Sequence, residues 1–378
     1  MNFQLFLFWI LLAFIGFCYL FFPLLLQVIV FCKKLPKKSN GALPTFSIIV
    51  PVYREAAILK DKLINTMECS MPNCKEIIFI ADEVEATTLR LLNEYKPSII
   101  SILQRTRIGK MAAMKKAAAL ATADILVFTD ANVLLTKEGL EQLISHFTDS
   151  RIGAVSGEKI ANQKAEGLYW QYESYIKHLE FKAYSSIAVA GELFAIRKSI
   201  FPILPDTIIL DDFMISAKLL QAGYIIAYEP NASAKEIGVT GFMHEYQRKQ
   251  RIGAGAAQAI EHLGWLPYQS FWLNLQFYTR RVSRWLIIPV ILPIIFILNA
   301  VILENYHLII PWIYEAIFIA QVIFYLLAFI GRRYPDFWKI TDLCAYFLIV
   351  HFGLLKGFID YYRGKHSVLW YKPVRERL

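Results

Sequence analysis

The sequence predicts an α/β domain with a mainly parallel sheet, flanked by transmembrane helices. Three observations predict it. Between residues 46 and 265, short runs rich in Val, Ile and Phe alternate with stretches of helical spacing. Those runs are continuously apolar rather than alternating, as in strands covered on both faces. The composition is also too apolar for an ordinary soluble protein. Of 378 residues, 56% are hydrophobic and 15% aromatic, with a mean hydropathy of +0.42, and the charges gather in the middle and at segment ends.

Residues 3–32 carry no charge and are followed by Lys33, Lys34, Lys37 and Lys38. No basic n-region or small-residue cleavage site is present, so residues 1–32 read as a retained transmembrane anchor and 33–45 as a basic linker. Pro23 is expected to kink or split the anchor.

The central domain, 46–265, opens with the strand Phe46–Val50, which stops at Pro51, and a helix to about Met67. A second buried strand, Glu76–Ile80, ends at Ala81-Asp82. A helix over 84–95, a strand over Ile99–Leu103 and an Ala/Met/Lys-rich helix over Lys110–Ala121 follow. The strand Ile125–Thr129 ends abruptly in Asp130-Ala131-Asn132. Parallel strands then bring Glu55, Asp82 and Asp130 to one edge, the ligand-binding edge of an open sheet. Asp130 and Asn132 offer hard oxygens to a divalent cation that keeps waters and takes phosphate oxygens; the alternative is an Asp that opens a turn. Further on, Gly191-Glu192-Leu193-Phe194 reads as a tight turn entering a strand, and Asp211-Asp212 opens a helix over Phe213–Ala222 that Gly223 ends. Those aspartates read as an N-cap pair, as a general base aimed into the cleft, or as one of each.

Residues 266–284 read as an interfacial segment and 285–330 as two transmembrane helices, Trp285–Leu303 and Ile309–Ile330. Arg280, Arg281 and Arg284 precede the pair, Arg332 and Arg333 follow it, and the Glu304–His307 connection has no Lys or Arg. That bias puts the hairpin tip outside and the central domain in the cytoplasm. Residues 331–378 hold Leu343–Phe358, interrupted by His351 and Lys356, and a basic tail. This stretch reads as an interfacial, re-entrant or third membrane segment. Two spans form too small a bundle to enclose a polymer channel, so an exporting role would call for a homo-oligomer or a partner subunit.

The net charge of +9 fits membrane-flanking clusters, and no basic groove interleaved with aromatics points to nucleic acid. The five cysteines lack zinc-site spacing. His146, His178, His244 and His262 show no mutual ligand spacing, and Trp170, Tyr172 and Tyr175 read as core or membrane-facing, with an acceptor-stacking role as the alternative.

With these motifs in place, the chain resembles a membrane-bound family 2 glycosyltransferase of the polysaccharide-synthase-like branch. The resemblance runs from about Phe46 to Gln258 and rests on elements in the family's order: Pro51–Glu55, Ala81-Asp82, Arg107-Ile108-Gly109-Lys110, Thr129–Asn132, Gly191–Phe194, Leu210-Asp211-Asp212 and Gln247–Arg251. It implies the GT-A nucleotide-diphospho-sugar transferase fold, with Mg2+ or Mn2+ as cofactor. It implies that Asp82 contacts the donor's base and ribose and that Lys110 lies near the nucleotide. Asp130 and Asn132 would form the metal site, in an Asp-Ala-Asn form. Asp212 would be the catalytic base beside Asp211, and Arg251 would hold the diphosphate. The chain departs from the pattern at Glu83-Val84-Glu85, at Arg248, where Gln is usual, and at Ile252, where a Trp packs beneath the acceptor sugar in processive relatives. Ile offers no such stacking platform, which argues against strong processivity.

The expected function is inverting transfer of a sugar, from UDP-sugar by preference, to a lipid-linked or polysaccharide acceptor at the cytoplasmic face of a bacterial inner membrane. The alternatives are another nucleotide-dependent transferase, against which no Walker-type loop is found, and a non-catalytic scaffold, against which the intact carboxylates speak.

Overall fold

The computed structural model describes residues 3–33, 41–160, 164–236, 242–265, 267–305, 311–335 and 337–367. Lys34, Lys37, Lys38, the Tyr306-His307 tip and the basic tail from residue 368 onward lie outside the described residues.

The chain opens with α1 (Phe3–Gly16) and α2 (Phe22–Cys32), joined by a π-helical turn over Phe17–Phe21. The expected break at Pro23 does not occur. The wider turn just ahead of the ring accommodates its missing N–H, and one helix runs from Phe3 to Cys32.

Eight strands follow among the described residues: β1 (Phe46–Val52), β2 (Cys74–Ala81), β3 (Ile100–Leu103), β4 (Ile125–Thr129), β5 (Val133–Leu134), β6 (Ile152–Ile160), β7 (Leu193–Arg197) and β8 (Ile225–Glu236). They form one sheet in the order β3-β2-β1-β4-β7-β6-β8-β5. β1, β2, β3 and β4 are mutually parallel, and β6 is parallel to β8. β7 opposes both β4 and β6, and β5 opposes β8. Reversal of β7 brings the residues just ahead of it, Gly191-Glu192, beside the end of β4, where Asp130 N–H donates to the Glu192 carbonyl at 3.2 Å. Pro51 is tolerated in β1 because pairing with β4 ends at Ile49.

Side chains alternate between the two faces of the sheet. Ile125 and Val127 of β4 join the layer beneath α3 (Ala56–Glu68), α4 (Ala86–Glu94) and α6 (Lys137–Ser145). Leu126 and Phe128 join the layer beneath α5 (Lys110–Leu120), α8 (Asp211–Gln221) and α9 (Phe242–Leu263). Each such fully buried side chain contributes roughly 1.5–3 kcal/mol, which holds the strand ends, and so the edge carboxylates, in register. α7 (Lys164–Ala183) packs Ile176, Leu179 and Ala183 against Phe22 and Leu26 of α2.

C-terminal to the sheet, α10 (Phe271–Phe277) continues through a π-helical stretch, Tyr278–Ile287, into α11 (Ile288–Asn305), and α12 (Pro311–Arg333) and α13 (Lys339–Tyr362) follow. The helices Phe3–Cys32, Phe271–Asn305, Pro311–Arg333 and Lys339–Tyr362 are each long and apolar enough to cross a membrane. The last of these, α13, is one unbroken helix lying along α9. Gly253, Gly353 and Gly357 allow that approach, since a Cβ on Gly357 would overlap the Gln250 carbonyl.

Arg280, Arg281 and Arg284, read above as preceding the first of the paired spans, also meet partners within the fold. They lie within the helix, and two of them are spent on α7. Arg280 meets Glu180 at 2.8 Å and Glu173 at 2.9 Å, while Arg284 meets Glu173 at 2.6 Å. Burial alone would raise the Glu173 carboxyl, but the Arg280 and Arg284 guanidinium groups hold it down to about 2. Arg284 also donates to the Cys18 carbonyl at 3.1 Å, and Tyr172 OH to that of Tyr19 at 2.6 Å. Those carbonyls belong to the π-helical turn, so α7 and Arg284 supply partners that its irregular backbone lacks.

Candidate active site

The ends of β1, β2 and β4 carry Glu55, Asp82 and Asp130. Two non-glycine residues at this edge, Arg54 (φ 51°) and Glu83 (φ 55°), occupy the left-handed region, a strained conformation kept where the surroundings over-determine it. Their side chains pair across the edge at 3.4 Å. Glu55 sits at the N-terminus of α3, where its carbonyl accepts the Leu59 N–H at 2.9 Å.

Asp82 is 1% exposed. Its two oxygens accept the Ile108 N–H at 2.6 Å and the Gly109 N–H at 3.0 Å, which pins the loop that opens α5. Gly109 has φ +89°, a conformation that suits glycine. The loop delivers Lys110, whose Nζ donates to Asp130 Oδ1 at 2.8 Å and lies 3.8 Å from Asp211 Oδ2. Lys110 is held well above its ordinary value: burial works against the charge, but Asp130 and Asp211 outweigh it.

Asn132 is buried and directs its Nδ2 to Glu236 Oε1 at 3.4 Å. Beneath this turn the fully buried Lys62 donates to Thr129 Oγ1 at 3.0 Å and to the Val133 carbonyl at 2.6 Å. Burial pushes Lys62 down to about 7 against the pull of Asp130. Asp130, Asn132 and Glu236 supply hard oxygens, which fit Mg2+ or Mn2+. Among the described residues no three or more His, Cys, Asp or Glu form a closed cage. A cation here would complete its shell with water and phosphate oxygens.

The N-cap reading of Asp211-Asp212 is corrected. Leu210 occupies the cap position, and both aspartates lie in the first turn of α8, where their charge opposes the helix dipole. Asp212 Oδ1 accepts the Phe213 N–H at 2.7 Å, and a Cβ on Gly191 would come within 2.9 Å of its Oδ2, so only glycine leaves that carboxylate its place. Burial first, and then neighbouring Asp211, push Asp212 up to about 6 against the pull of Lys110. From α9, Arg251 donates to the Ile209 carbonyl at 2.7 Å and fixes the chain just ahead of the aspartates, while its Nε is buried without a hydrogen-bond partner. Arg248 meets Glu192 at 3.3 Å. Burial would raise Glu192, but Lys159 and Arg248 hold it down to about 2.

These groups border a cleft of about 250 Å³ whose wall includes Lys110, Asp130, Asp211, Asp212 and Arg251; Glu55, Asp82 and Asn132 stand behind or beside it. The same wall holds residues that sequence reasoning missed or discounted: Trp170 and Lys177 of α7 and Arg281 and Trp285 of the Tyr278–Ile287 stretch. The aromatic spacing on α7 was the available signal, but nothing local tied it to the cleft. Ile252 lines the cleft as well, and the indoles there come from Trp170 and Trp285 instead. His146 is no ligand; it pairs with Glu229 at 2.8 Å away from the cleft.

Comparison with known proteins agrees with this architecture. The glycosyl transferase family 2 model matches residues 47–202, and the glycosyl transferase family group 2 model matches residues 125–331, more than half of the chain. An O-antigen chain rhamnosyltransferase of Salmonella anatum is 25% identical over 229 residues, covering 56% of this chain and 70% of that protein. A poly-β-1,6-N-acetyl-D-glucosamine synthase of Staphylococcus aureus is 27% identical over 214 residues, covering 53% of this chain and 52% of the synthase, so the chain spans about half that relative's length. A mannosyltransferase of Pyrobaculum calidifontis, solved in complex with GDP-Man and Mn2+, has the same fold, with a TM-score of 0.72 at 21% identity over 95% of this chain and 100% of that one. A mixed sheet with a reversed β7, carboxylates gathered at one edge and matching family models together make this chain a member of the family 2 glycosyltransferases.

Proposed function

We propose that the chain transfers a sugar from a nucleotide-diphospho-sugar, by preference a UDP-sugar, to a lipid-linked or glycan acceptor at the cytoplasmic face of a bacterial inner membrane. The product would belong to a cell-surface polysaccharide or glycolipid. The observation that carries the reading is Asp212, a carboxylate raised to about 6 in a cleft whose other wall holds Asp130 and Lys110. A base titrating near working pH is matched to its task.

In this reading Asp212 takes the proton of the acceptor hydroxyl as that oxygen bonds to the anomeric carbon. The bond from that carbon to the diphosphate breaks, and its electron pair leaves on the diphosphate oxygen. One in-line displacement inverts the anomeric centre. Lys110 and Arg251 meet the growing negative charge with donors already in place. Asp130 and Asn132 would hold Mg2+ or Mn2+, which would offset diphosphate charge when bound. Asp82, with both oxygens spent on Ile108 and Gly109, contributes by shaping the loop that faces the nucleotide. Asp211 stands beside the base, and Glu55 frames the nucleotide side of the edge. The relatives named above supply the precedents for a polysaccharide product, and the basic residues at helix ends support the cytoplasmic orientation.

The test is donor hydrolysis and transfer by the purified full chain in membrane lipid, with UDP-, GDP- and dTDP-sugars, with and without Mn2+ or Mg2+, beside Asp130→Ala. Metal-dependent release of one nucleotide, lost in the variant, is expected. Release that ignores both metal and variant would overturn the assignment of Asp130.

A further inference from the structure

The cleft holds more positive charge than the donor diphosphate accounts for. Lys110 is engaged with Asp130, and Arg248 and Lys249 are ion-paired with Glu192 and Glu245. Lys177 and Arg281 differ. Lys177 is 7% exposed, lines the cleft, and has neither a hydrogen bond nor an ion pair to its ammonium among the described residues. Its neighbours are the rings of Trp170 at 5.3 Å and Tyr228 at 5.9 Å. Arg281 lies 5.0 Å from the Trp285 ring and 5.7 Å from that of Phe213, and its Nε is buried without a partner. Glu173, the carboxylate that also lines this end, is spent on Arg280 and Arg284. Carboxylates reach both only at longer range: Glu158, Glu192 and Glu173 for Lys177, and Glu180, Glu173 and Asp212 for Arg281. Two cations with no direct ion pair among the described residues suit a site completed by an anion.

The position of this end says what kind of molecule carries the anion. The cleft continues into a narrow chamber of about 40 Å³ that shares Arg281 and Trp285 with it and is bounded further by Tyr19, Arg284, His351 and Leu354. Those residues lie on Phe3–Cys32, Phe271–Asn305 and Lys339–Tyr362, three of the helices long and apolar enough to cross a membrane. Arg281 therefore stands where the cleft meets the apolar helices, and Lys177 lines the same cleft. Burial pushes Lys177 below its ordinary value, against the pull of Glu158, Glu192 and Glu173.

We propose that Lys177 and Arg281 bind the phosphate of a lipid-linked acceptor, so that the acceptor is a phospholipid-type sugar carrier and not an uncharged glycan end. The inference rests on the reading of Asp212 as the base. The acceptor's sugar hydroxyl then faces Asp212 while its phosphate lies one sugar further along, against the guanidinium and ammonium groups. Trp170 and Trp285, both on the cleft wall, would supply aromatic surface to the acceptor's sugar. The transfer step is the one given above, and the acceptor's phosphate takes no part in bond exchange.

The test uses the full chain in detergent, with UDP or GDP and Mn2+ at saturation so that the donor's phosphate site is filled. Indole fluorescence is titrated with an isoprenyl phosphate, with the matched uncharged isoprenol, and with inorganic phosphate. The isoprenyl phosphate is expected to bind at least 10-fold more tightly than either. Arg281→Gln and Lys177→Met should each weaken it by about 10- to 100-fold, the range for a lost charge-assisted hydrogen bond, with nucleotide affinity unchanged. Arg281→Lys, which keeps the charge, should restore part of the loss. Equal binding of phosphate and alcohol would overturn the proposal. Inorganic phosphate binding as tightly would overturn its lipid part, and variants that leave the preference intact would overturn the residue assignment. Failure of nucleotide and Mn2+ to bind would instead sink the donor reading, which separates the two.

Discussion

Replacing Asp212 by Asn tests the catalytic carboxylate twice, once through rate and once through stability. The group moves from 3.8 to about 6, and one pKa unit is about 1.4 kcal/mol, so keeping the charge in the folded state costs at most about 3 kcal/mol. The side chain faces the cleft and retains some water, which reduces the figure to about 1–2 kcal/mol. A carboxylate whose folded pKa is raised favours the fold below its unfolded value, and that contribution is lost as pH rises through about 6. Asp212→Asn, which keeps an acceptor for the Phe213 N–H, should therefore be more stable than the parent at pH 8 by that 1–2 kcal/mol, or about 2–6 °C in melting temperature. At pH 4 the difference should vanish. Transfer should fall by about 10²–10⁴ while nucleotide affinity persists, and the parent's kcat should decline on the acid side of about 6. Melting curves in detergent at both pH values, beside a pH–rate profile, give the answer. A pH-independent shift would refute the electrostatic reasoning, and preserved transfer would remove Asp212 from the base role.

Other parts of the structure make further predictions. Asp130→Ala frees Lys110 from its 2.8 Å partner and deprives the turn of a carboxylate, so the Mn2+ concentration needed for donor hydrolysis should rise at least 10-fold, read by metal titration. Glu173→Gln leaves Arg280 and Arg284 short of a buried counter-charge and should destabilise the protein by about 3–5 kcal/mol, seen as a lowered melting temperature; an unchanged melting point would count against the network. Gly357→Ala should push α13 off α9, because the added methyl overlaps the Gln250 carbonyl; transfer should drop more than nucleotide affinity, measured on the same preparation.

The parts of this architecture written in contiguous residues were legible in the sequence. The runs ending at Asp82 and Asp130 read as buried strands, and the edge they share followed from parallel order. Gly191 and the Asp211-Asp212 pair marked a turn and a helix start. What escaped depends on contacts distant in sequence. β6 and β8 carry Ser, Glu and Lys within their apolar stretches, so their periodicity is weak, and they form through pairing with each other, β6 also with β7 and β8 with β5. Arg280, Arg281 and Arg284 look like any basic cluster beside an apolar run, and only α7, about 100 residues earlier, shows what they meet. Lys177 and Trp170 belong to the cleft because α7 crosses it, which helical spacing alone does not reveal. Helix caps were also misjudged: an Asp pair fits the cap by propensity, but the turn after Ile209 gives that place to Leu210.

The pairing of Arg280 and Arg284 with Glu173 and Glu180 has a consequence for handling the molecule. A cut placed by hydropathy, after residue 265, would strand two acidic side chains inside a soluble fragment with their counter-ions left on the discarded piece. Such a fragment would need to protonate or expose those acids, and it should aggregate or melt early even though its sheet is complete. A chimera that exchanges the apolar helices for those of another protein meets the same obstacle unless it brings guanidinium groups at matching heights. The unit of inheritance and of engineering is then the sheet together with the first turns of the Phe271–Asn305 helix, and a boundary drawn between water and lipid runs through the middle of it.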